Sequence, residues 1–169
     1  MKKILTISAI LLVSLTAFAQ DPVAMLREKL EKGRVTLDYK YDINGNVPFG
    51  GSGTATIQGS CYHSSGNGLE IWCNGTTKWT IDSEAKEVYV ENAEGMDELQ
   101  NIAESYLAHM TDVKSTADGL SGVFTNPSDG SKVNIRISGI KYAPASGGKK
   151  DFTFNTVKLD DSWFVTDLR

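Results

Sequence analysis

The sequence predicts an α+β protein whose sheet is antiparallel. Most of the chain alternates apolar and polar residues with a period of two, which is typical of half-buried strands. Turn signals separate these runs, and one of them, Asn74-Gly75, is typical of a β-hairpin. Helical periodicity is confined to two stretches, one after Asp21 and one after Glu91. We therefore expect about eight to ten strands and two or three helices.

Residues 1–19 have the layout of a signal peptide. Lys2 and Lys3 precede an apolar run over residues 4–15, and Ala17-Phe18-Ala19 is typical of a cleavage site. The run is too short to span a bilayer comfortably, and no Cys follows it that could be lipidated. We expect export to the periplasm with cleavage after Ala19, which leaves residues 20–169 as one domain. A retained membrane anchor is the alternative.

The composition argues against several classes of function. The chain of 169 residues has 17 basic and 21 acidic residues and a net charge of -4, which disfavours nucleic acid and anionic membranes as partners. It has no Gly-rich phosphate loop, no Gly-x-Ser-x-Gly, no His-Glu-x-x-His and only 2 histidines. We therefore expect that the protein is not an enzyme and has no catalytic residue and no cofactor.

A short amphipathic helix is predicted at the start of the mature chain. Asp21-Pro22 supplies an N-cap and a proline at the first helical position, and Val23, Leu26 and Leu30 recur at helical spacing until Gly33. The pattern leaves two roles open for this helix, simple packing and contact with a ligand.

Two strands are predicted next. The first starts after Arg34 and ends near Asn44, and the second covers Thr54 to Tyr62. Alternate residues of a strand lie on the same face. The apolar faces of these strands are formed by Val35, Leu37, Tyr39 and Tyr41 and by Ala55, Ile57 and Cys61.

The centre of the chain predicts a meander of three short strands. They are Leu69 to Cys73, Thr77 to Ile81 and Glu87 to Val90, and Asn74-Gly75 joins the first two. Since successive side chains of a strand point to opposite faces, the meander should have one apolar and one polar face. The aromatic residues Trp72 and Tyr89 are exceptions that fall on the polar face. That apolar face consists of Leu69, Ile71, Cys73, Thr77, Trp79, Ile81, Val88 and Val90.

A second helix and further strands follow. Met96, Leu99, Ala103, Tyr106 and Met110 recur at helical spacing and predict a helix of about four turns. Such a stripe is ordinarily part of a core, but it can also form a ligand-binding wall. Four more strands are predicted, around Leu120 to Thr125, Val133 to Ser138, Phe152 with Phe154, and Trp163 to Leu168.

Cys61 and Cys73 allow three interpretations. We expect a disulfide, because a hairpin at Gly66 to Gly68 would place them opposite each other and export removes them from the reducing cytosol. Two buried free thiols are the alternative. A metal site with His63 would need a further ligand, and His109 lies on the distant helix, so we predict no metal.

Several short motifs resemble one family of carrier proteins. They are the Gly-x-Thr-x-Trp at Gly75 to Trp79, the Glu-Val-Tyr-Val at Glu87 to Val90, the ending Asp151-Phe152-Thr153-Phe154 and the terminal Asp167-Leu168-Arg169. Their order and spacing resemble those of the LolA-like periplasmic carriers of outer-membrane lipoproteins, in particular the Bacteroidetes-type branch.

The resemblance implies a fold and a function. The fold would be an incomplete antiparallel β-barrel, a half-barrel with helices covering its concave face. The protein would be a monomeric chaperone that takes acylated lipoproteins from an inner-membrane releasing complex, holds their acyl chains in a hydrophobic cavity and passes them to an outer-membrane acceptor. The candidate lining is Val35, Leu37, Tyr39, Ile57, Leu69, Ile71, Trp79, Ile81, Leu99, Tyr106, Ile135, Ile137, Phe152 and Phe154.

The chain departs from the resembled family at an arginine and in its last loop, which reads Lys158-Leu159-Asp160-Asp161 where relatives tend to have Tyr-Pro. Proteobacterial members carry an early-strand arginine that latches the lid, whereas Arg34 is expected to lie before the first strand. A second function is the alternative, a periplasmic sensor or interaction module of the same half-barrel shape that binds a protein tail or another lipid.

Overall fold

The structure is a computed structural model that describes residues 22–44, 49–93, 109–116, 118–126 and 130–169. Among these residues there is one α-helix, α1 (Pro22–Lys32), as the spacing of its apolar residues predicts. The strands are β1 (Gly33–Asn44), β2 (Phe49–Gln58), β3 (Cys61–Gly66), β4 (Leu69–Cys73), β5 (Thr77–Asp82), β6 (Glu87–Asn92), β7 (Met110–Thr116), β8 (Gly119–Thr125), β9 (Lys132–Pro144) and β10 (Phe164–Asp167).

All ten strands belong to a single sheet in the order β10-β6-β5-β4-β3-β2-β1-β9-β8-β7. Neighbouring strands are antiparallel except for β10, which runs parallel to β6. Strands β1 to β6 follow one another across the sheet, and β9 then pairs with the other side of β1, from Gly33 opposite Pro144 to Asn44 opposite Lys132. Strand β1 therefore lies in the interior of the sheet, and β7 and β10 form its edges.

The half-barrel with helices over its concave face, which the resemblance implied, is wrong. The described residues form an open, mixed sheet, and α1 covers only part of one face. The physical reason is that the sheet buries apolar side chains on both of its faces. Helix α1 covers part of one face, and residues near the C-terminus cover part of the other. A half-barrel whose helices close one side would need a single apolar face.

The strand register defines these two faces, because directly paired residues of neighbouring strands point to the same side. We call the side that α1 covers the helix face, and the other the reverse face. The helix face carries Val35, Ile57, Tyr62 and Cys73, which successive pairings connect. The reverse face carries Thr36, Thr56, His63 and Trp72.

Helix α1 buries the helix face of β1 and its neighbours. Val23 and Leu26 pack with Val35, Leu37 and Leu120 in one buried cluster, and Leu26 and Leu120 are 2% and 1% exposed. Burial of a leucine side chain contributes about 1.5–3 kcal/mol. This cluster is therefore what holds α1 against the sheet.

A second cluster lies on the reverse face at the other end of the sheet. Its buried members are Trp79, Ile81, Val88 and Val90 of β5 and β6. The cover is the stretch of residues 145–163, which we call the C-terminal segment and which contains two 3₁₀ helices, Gly148–Phe152 and Thr156–Lys158. Its side chains in this cluster are Phe154, Leu159 and Trp163.

Some predicted elements differ from the structure. The run Thr54 to Tyr62 is not one strand, because it turns at Gly59-Ser60, where Gly59 has a left-handed φ of 54°. Phe152 and Phe154 do not form a strand, since Phe152 ends a 3₁₀ helix. Met110 begins strand β7 rather than ending a helix, and the rest of that predicted helix lies outside the described residues.

Candidate functional site

The candidate site is a strip of half-buried apolar and aromatic side chains on the helix face, next to the cluster that α1 buries. It crosses five adjacent strands, β9, β1, β2, β3 and β4. We call this set the apolar strip. Its members are Tyr39, Tyr41, Ala55, Ile57, Tyr62, Ile71, Ile135 and Ile137. All of them are partly accessible to solvent.

Two tyrosines of β1 form the floor of the strip. The Tyr39 hydroxyl lies 3.2 Å from the Ser64 hydroxyl on β3, so its ring spans Gly53 on the intervening strand. A Cβ atom on Gly53 would lie 2.6 Å from the Tyr39 hydroxyl oxygen and closer still to the Ser65 carbonyl oxygen. Glycine is therefore required there for the ring to lie flat on the sheet.

Tyr41 repeats this arrangement one step along the strand. The Asn67 side-chain amide donates a hydrogen bond of 3.3 Å to the Tyr41 hydroxyl. A Cβ on Gly51 would lie 2.8 Å from that hydroxyl oxygen. The rings of Tyr39 and Tyr41 are stacked with their centroids 6.5 Å apart. Because polar neighbours hold both hydroxyls, the rings are left as apolar surface.

The strip ends where the helix face becomes polar. Lys78 on β5 pairs directly with Glu91 on β6, and their side chains form an ion pair of 2.9 Å. The next pair on this face, Thr80 and Tyr89, carries hydroxyl groups on both strands. The strip is thus bounded by α1 on one side and by polar residues on the other.

Six of the fourteen predicted lining residues lie together on the helix face without being fully buried, and two of them, Tyr39 and Ile137, also pack against the α1 cluster. The six are Tyr39, Ile57, Leu69, Ile71, Ile135 and Ile137, of which Leu69 is the most exposed at 42%. Val35 and Leu37 lie on the same face but are buried under α1. Leu99 and Tyr106 lie outside the described residues.

The remaining four lining residues are not on this face, so their assignment to the same cavity is wrong. Trp79 and Ile81 lie on the reverse face, because Trp79 pairs with Trp72 whereas Ile71 pairs with Thr80. Because Cys73 pairs with Lys78, odd-numbered residues of β4 lie beside even-numbered residues of β5. Phe152 and Phe154 belong to the C-terminal segment, and Phe154 packs in the cluster of Trp79.

Sequence reasoning missed Tyr41, Ala55 and Tyr62 as site residues, although it had placed Ala55 on the apolar face of its strand with Ile57. Alternation along β1 already placed Tyr41 beside Tyr39, so its signal was present. Tyr62 had no such signal, because the turn at Gly59-Ser60 changes which residues of the run face the same side.

The predicted disulfide is not formed in the structure, where Cys61 and Cys73 are both buried thiols. The register pairs Cys73 with Tyr62 and Cys61 with Gln58, so the two cysteines are one position out of alignment and assigned to opposite faces. Burial raises the pKa of the Cys73 thiol above its ordinary value, and a hydrogen bond from the Gly75 backbone opposes this only in part.

Arg34 lies within β1, not before it as expected, and connects the reverse face to the C-terminal segment. Its guanidinium donates to the Ser146 carbonyl at 2.7 Å, to the Asp151 carboxylate at 2.8 Å and to the Gln58 side-chain oxygen at 3.0 Å. It also lies 5.2 Å from the centre of the buried Phe152 ring.

Two features are absent from the part of the chain that the structure describes. No cluster of three or more His, Cys, Asp or Glu side chains there could hold a metal ion. No helix there is both long enough and apolar enough to cross a membrane.

Comparison with known proteins gives a similarity of fold alone. No family model matches the chain, and no curated protein sequence matches it. Its structure is similar to that of an uncharacterized conserved protein from Thermus thermophilus, with a TM-score of 0.51 and 4% sequence identity. The similarity covers 86% of this chain and 96% of the other. At this identity the likeness concerns the arrangement of strands and implies no activity.

Proposed function

We propose that this protein is a periplasmic carrier that binds the acyl chains of lipoproteins on the apolar strip. The observation that carries the proposal is the strip itself, a set of apolar side chains across five strands that is only half-buried. The resemblance of the sequence motifs to the LolA-like carriers supports it. An inner-membrane donor and an outer-membrane acceptor are part of the same proposal.

The strip suits an acyl chain in its chemistry. An exposed methylene group in water is unfavourable by about 0.8 kcal/mol, so a carrier needs apolar surface without unsatisfied polar groups. The Tyr39 hydroxyl already has the Ser64 hydroxyl of β3 as a partner, and the Tyr41 hydroxyl accepts a hydrogen bond from Asn67 in the turn between β3 and β4. Hydrocarbon can therefore cover these rings without breaking a hydrogen bond to the protein.

The strip also suits an acyl chain in its dimensions. Five adjacent strands with a spacing of about 4.8 Å extend over about 19 Å, which is the scale of a long acyl chain. The ion pair of Lys78 and Glu91 marks the polar end of this path. A lipoprotein head group or peptide would lie at that end, in contact with water.

Crosslinking in cells tests the proposal with neighbouring residues as controls. A photo-crosslinking amino acid is placed at Ile57 or Ile71 on the helix face, and at Thr56 or Glu70 on the reverse face of the same strands. We expect lipoprotein adducts from the first pair only. Equal labelling of both pairs, or none from the first, would contradict the carrier function.

Lipid analysis of the purified protein gives a second, independent measurement. We expect acyl chains to co-purify with the natural protein and to be detected by mass spectrometry. Ile57→Glu should reduce their amount strongly, because a carboxylate on a half-exposed surface stays hydrated and repels hydrocarbon. Thr56→Glu, on the reverse face, is the matched control and should retain the lipid.

A further inference from the structure

A polar cleft lies on the reverse face, where strands β1, β9, β8 and β7 are adjacent. Its volume is about 500 Å³, within the range of small-molecule sites. Its lining is mostly charged or polar, which distinguishes it from the apolar strip. The lining residues are Lys40, Asp42, Asp112, Lys114, Ser121, Gly122, Val123, Asn134, Ile135 and Arg136.

Three cations line up across this cleft. Lys40 pairs directly with Arg136, Arg136 with Ser121, and Ser121 with Lys114. We call Lys40, Arg136 and Lys114 the cation row. Like charges directly opposite each other destabilise a sheet. Lys40 opposite Arg136 is therefore unfavourable for folding unless an anion lies between them.

Two carboxylates, Asp42 and Asp112, line the same cleft, but neither forms an ion pair with the cation row. None of the five charged side chains of the cleft forms a hydrogen bond or an ion pair with another described residue. The cation row is thus available to a ligand.

A backbone irregularity at the same cleft is a second, independent observation. The register between β7 and β8 shifts between Thr111 and Lys114, so β7 has an extra residue there. Asp112 occupies this bulge with a φ of 52°, a left-handed conformation that is uncommon outside glycine but that aspartate adopts more readily than most residues. Bulges are over-represented at sheet edges, where β7 lies, and beside binding sites, where they redirect a side chain.

We propose that this cleft binds a phosphate monoester that also carries hydroxyl groups. Lys40 and Arg136 face one another and together match the two negative charges of a phosphate monoester better than the single charge of a carboxylate. Asp112 and Asp42 lack donors and accept hydrogen bonds only, so they would bind the hydroxyl groups rather than the phosphate. The ligand is either a soluble sugar or glycerol phosphate, or the head group of phosphatidic acid.

Two binding measurements distinguish a soluble phosphate monoester from the head group of a lipid. Titration calorimetry with glycerol 3-phosphate tests a soluble ligand, and flotation with phosphatidylcholine vesicles, with and without phosphatidic acid, tests a lipid head group. We expect saturable binding in at least one arm, weakened by added salt because the cleft is open to water. Absence of binding in both arms overturns the proposal.

Substitutions locate the binding in the cleft. Arg136→Gln and Lys40→Gln should each weaken it by about tenfold, the factor for one lost charge-assisted hydrogen bond. Lys141→Gln is the matched control, since Lys141 lies on the same face of β9 outside the cleft lining. Equal effects of Arg136→Gln and Lys141→Gln, at unchanged thermal stability, would overturn the site.

Asp112→Gly tests the hydroxyl contact separately. Glycine tolerates the left-handed φ, so the bulge persists while the carboxylate is removed. We expect weaker binding of glycerol 3-phosphate but unchanged or tighter binding of inorganic phosphate, which has no carbon-bound hydroxyl group. If binding of both ligands weakens to the same extent, the assignment of Asp112 to the hydroxyl groups is wrong.

Discussion

Arg34 and Asp151 form an ion pair of 2.8 Å that fixes the C-terminal segment to strand β1. The two residues are far apart in sequence, and the side chain of Arg34 is the less exposed, at 23% against 43%. The same guanidinium also donates to the Ser146 carbonyl. One side chain thus connects the interior of the sheet to the segment that covers Trp79 and Ile81.

Replacing this arginine should loosen the C-terminal segment. Arg34→Gln should lower the free energy of unfolding by about 1–2 kcal/mol, because it removes charged hydrogen bonds that solvent screens only in part. Arg34→Lys should recover little, since one ammonium group cannot reproduce the fork of donors. Denaturant unfolding measures stability, and limited proteolysis within residues 145–163 measures the loosening. Lys32→Gln, at an exposed ion pair, should match the natural protein in both.

Two adjacent residues of α1 test how the helix is held. Leu26→Ala should destabilise the protein by about 2–5 kcal/mol, because Leu26 is 2% exposed within the cluster of Val35 and Leu120. Met25→Ala should change stability by less than about 0.5 kcal/mol, since Met25 is 37% exposed. Thermal unfolding compares them. Similar losses for both would mean that α1 does not pack as described.

A methyl group at Gly53 should disrupt the tyrosine floor of the apolar strip. Gly53→Ala should cost about 1–3 kcal/mol, because the added Cβ meets the Ser65 carbonyl oxygen, a backbone atom that cannot move aside easily. Lipid retention should fall as well if the strip binds acyl chains. Ser52→Ala, at the exposed neighbouring position, is the control and should leave both properties unchanged.

The buried thiol of Cys73 should make stability depend on pH in alkaline solution. Burial raises the pKa of Cys73 above its ordinary value of 9.0, so the folded protein keeps a proton that the unfolded chain has already lost. Stability is therefore full below the unfolded pKa and falls as pH rises through the folded pKa. Cys73→Ala should flatten this fall in denaturant titrations. If the free energy of unfolding falls equally with pH in the natural protein and in Cys73→Ala, the dependence does not come from the Cys73 thiol.

The two cysteines should remain thiols in the purified protein. After unfolding without a reductant, iodoacetamide should modify both Cys61 and Cys73, as whole-protein mass measurement will show. In the native protein the reaction should be slow, because both side chains are buried. Protein that takes up no label when unfolded would instead contain the disulfide that the sequence suggested.

Local patterns predicted most strands and the helix, but not which segments pack on each face of the sheet. Val23, Leu26 and Leu30 located α1, and Asn74-Gly75 located the turn between β4 and β5, because these signals involve neighbouring residues. Alternation also identified an apolar side for each strand. What alternation lacks is the register, which determines whether the apolar sides of two strands coincide.

Register explains why the candidate site was predicted only in part. Ile71 and Trp79 are apolar and both odd-numbered, yet they lie on opposite faces because Ile71 pairs with Thr80. A single strand cannot reveal this, since the turn length between two strands fixes their pairing. The C-terminal segment was equally hidden, because Phe154 and Trp163 reach the sheet through contacts distant in sequence.

The pairing of β1 with β9 determines when the fold can be completed during synthesis. One side of β1 pairs with β2 through a short connection, whereas its other side waits for β9, which is made near the end of the chain. Until β9 is made, the backbone N–H and C=O groups on that side of β1 form an open edge, which can pair with strands of other chains. A nascent chain would therefore benefit from a holding chaperone until β9 emerges, and a fragment that ends before Lys132 should aggregate rather than fold.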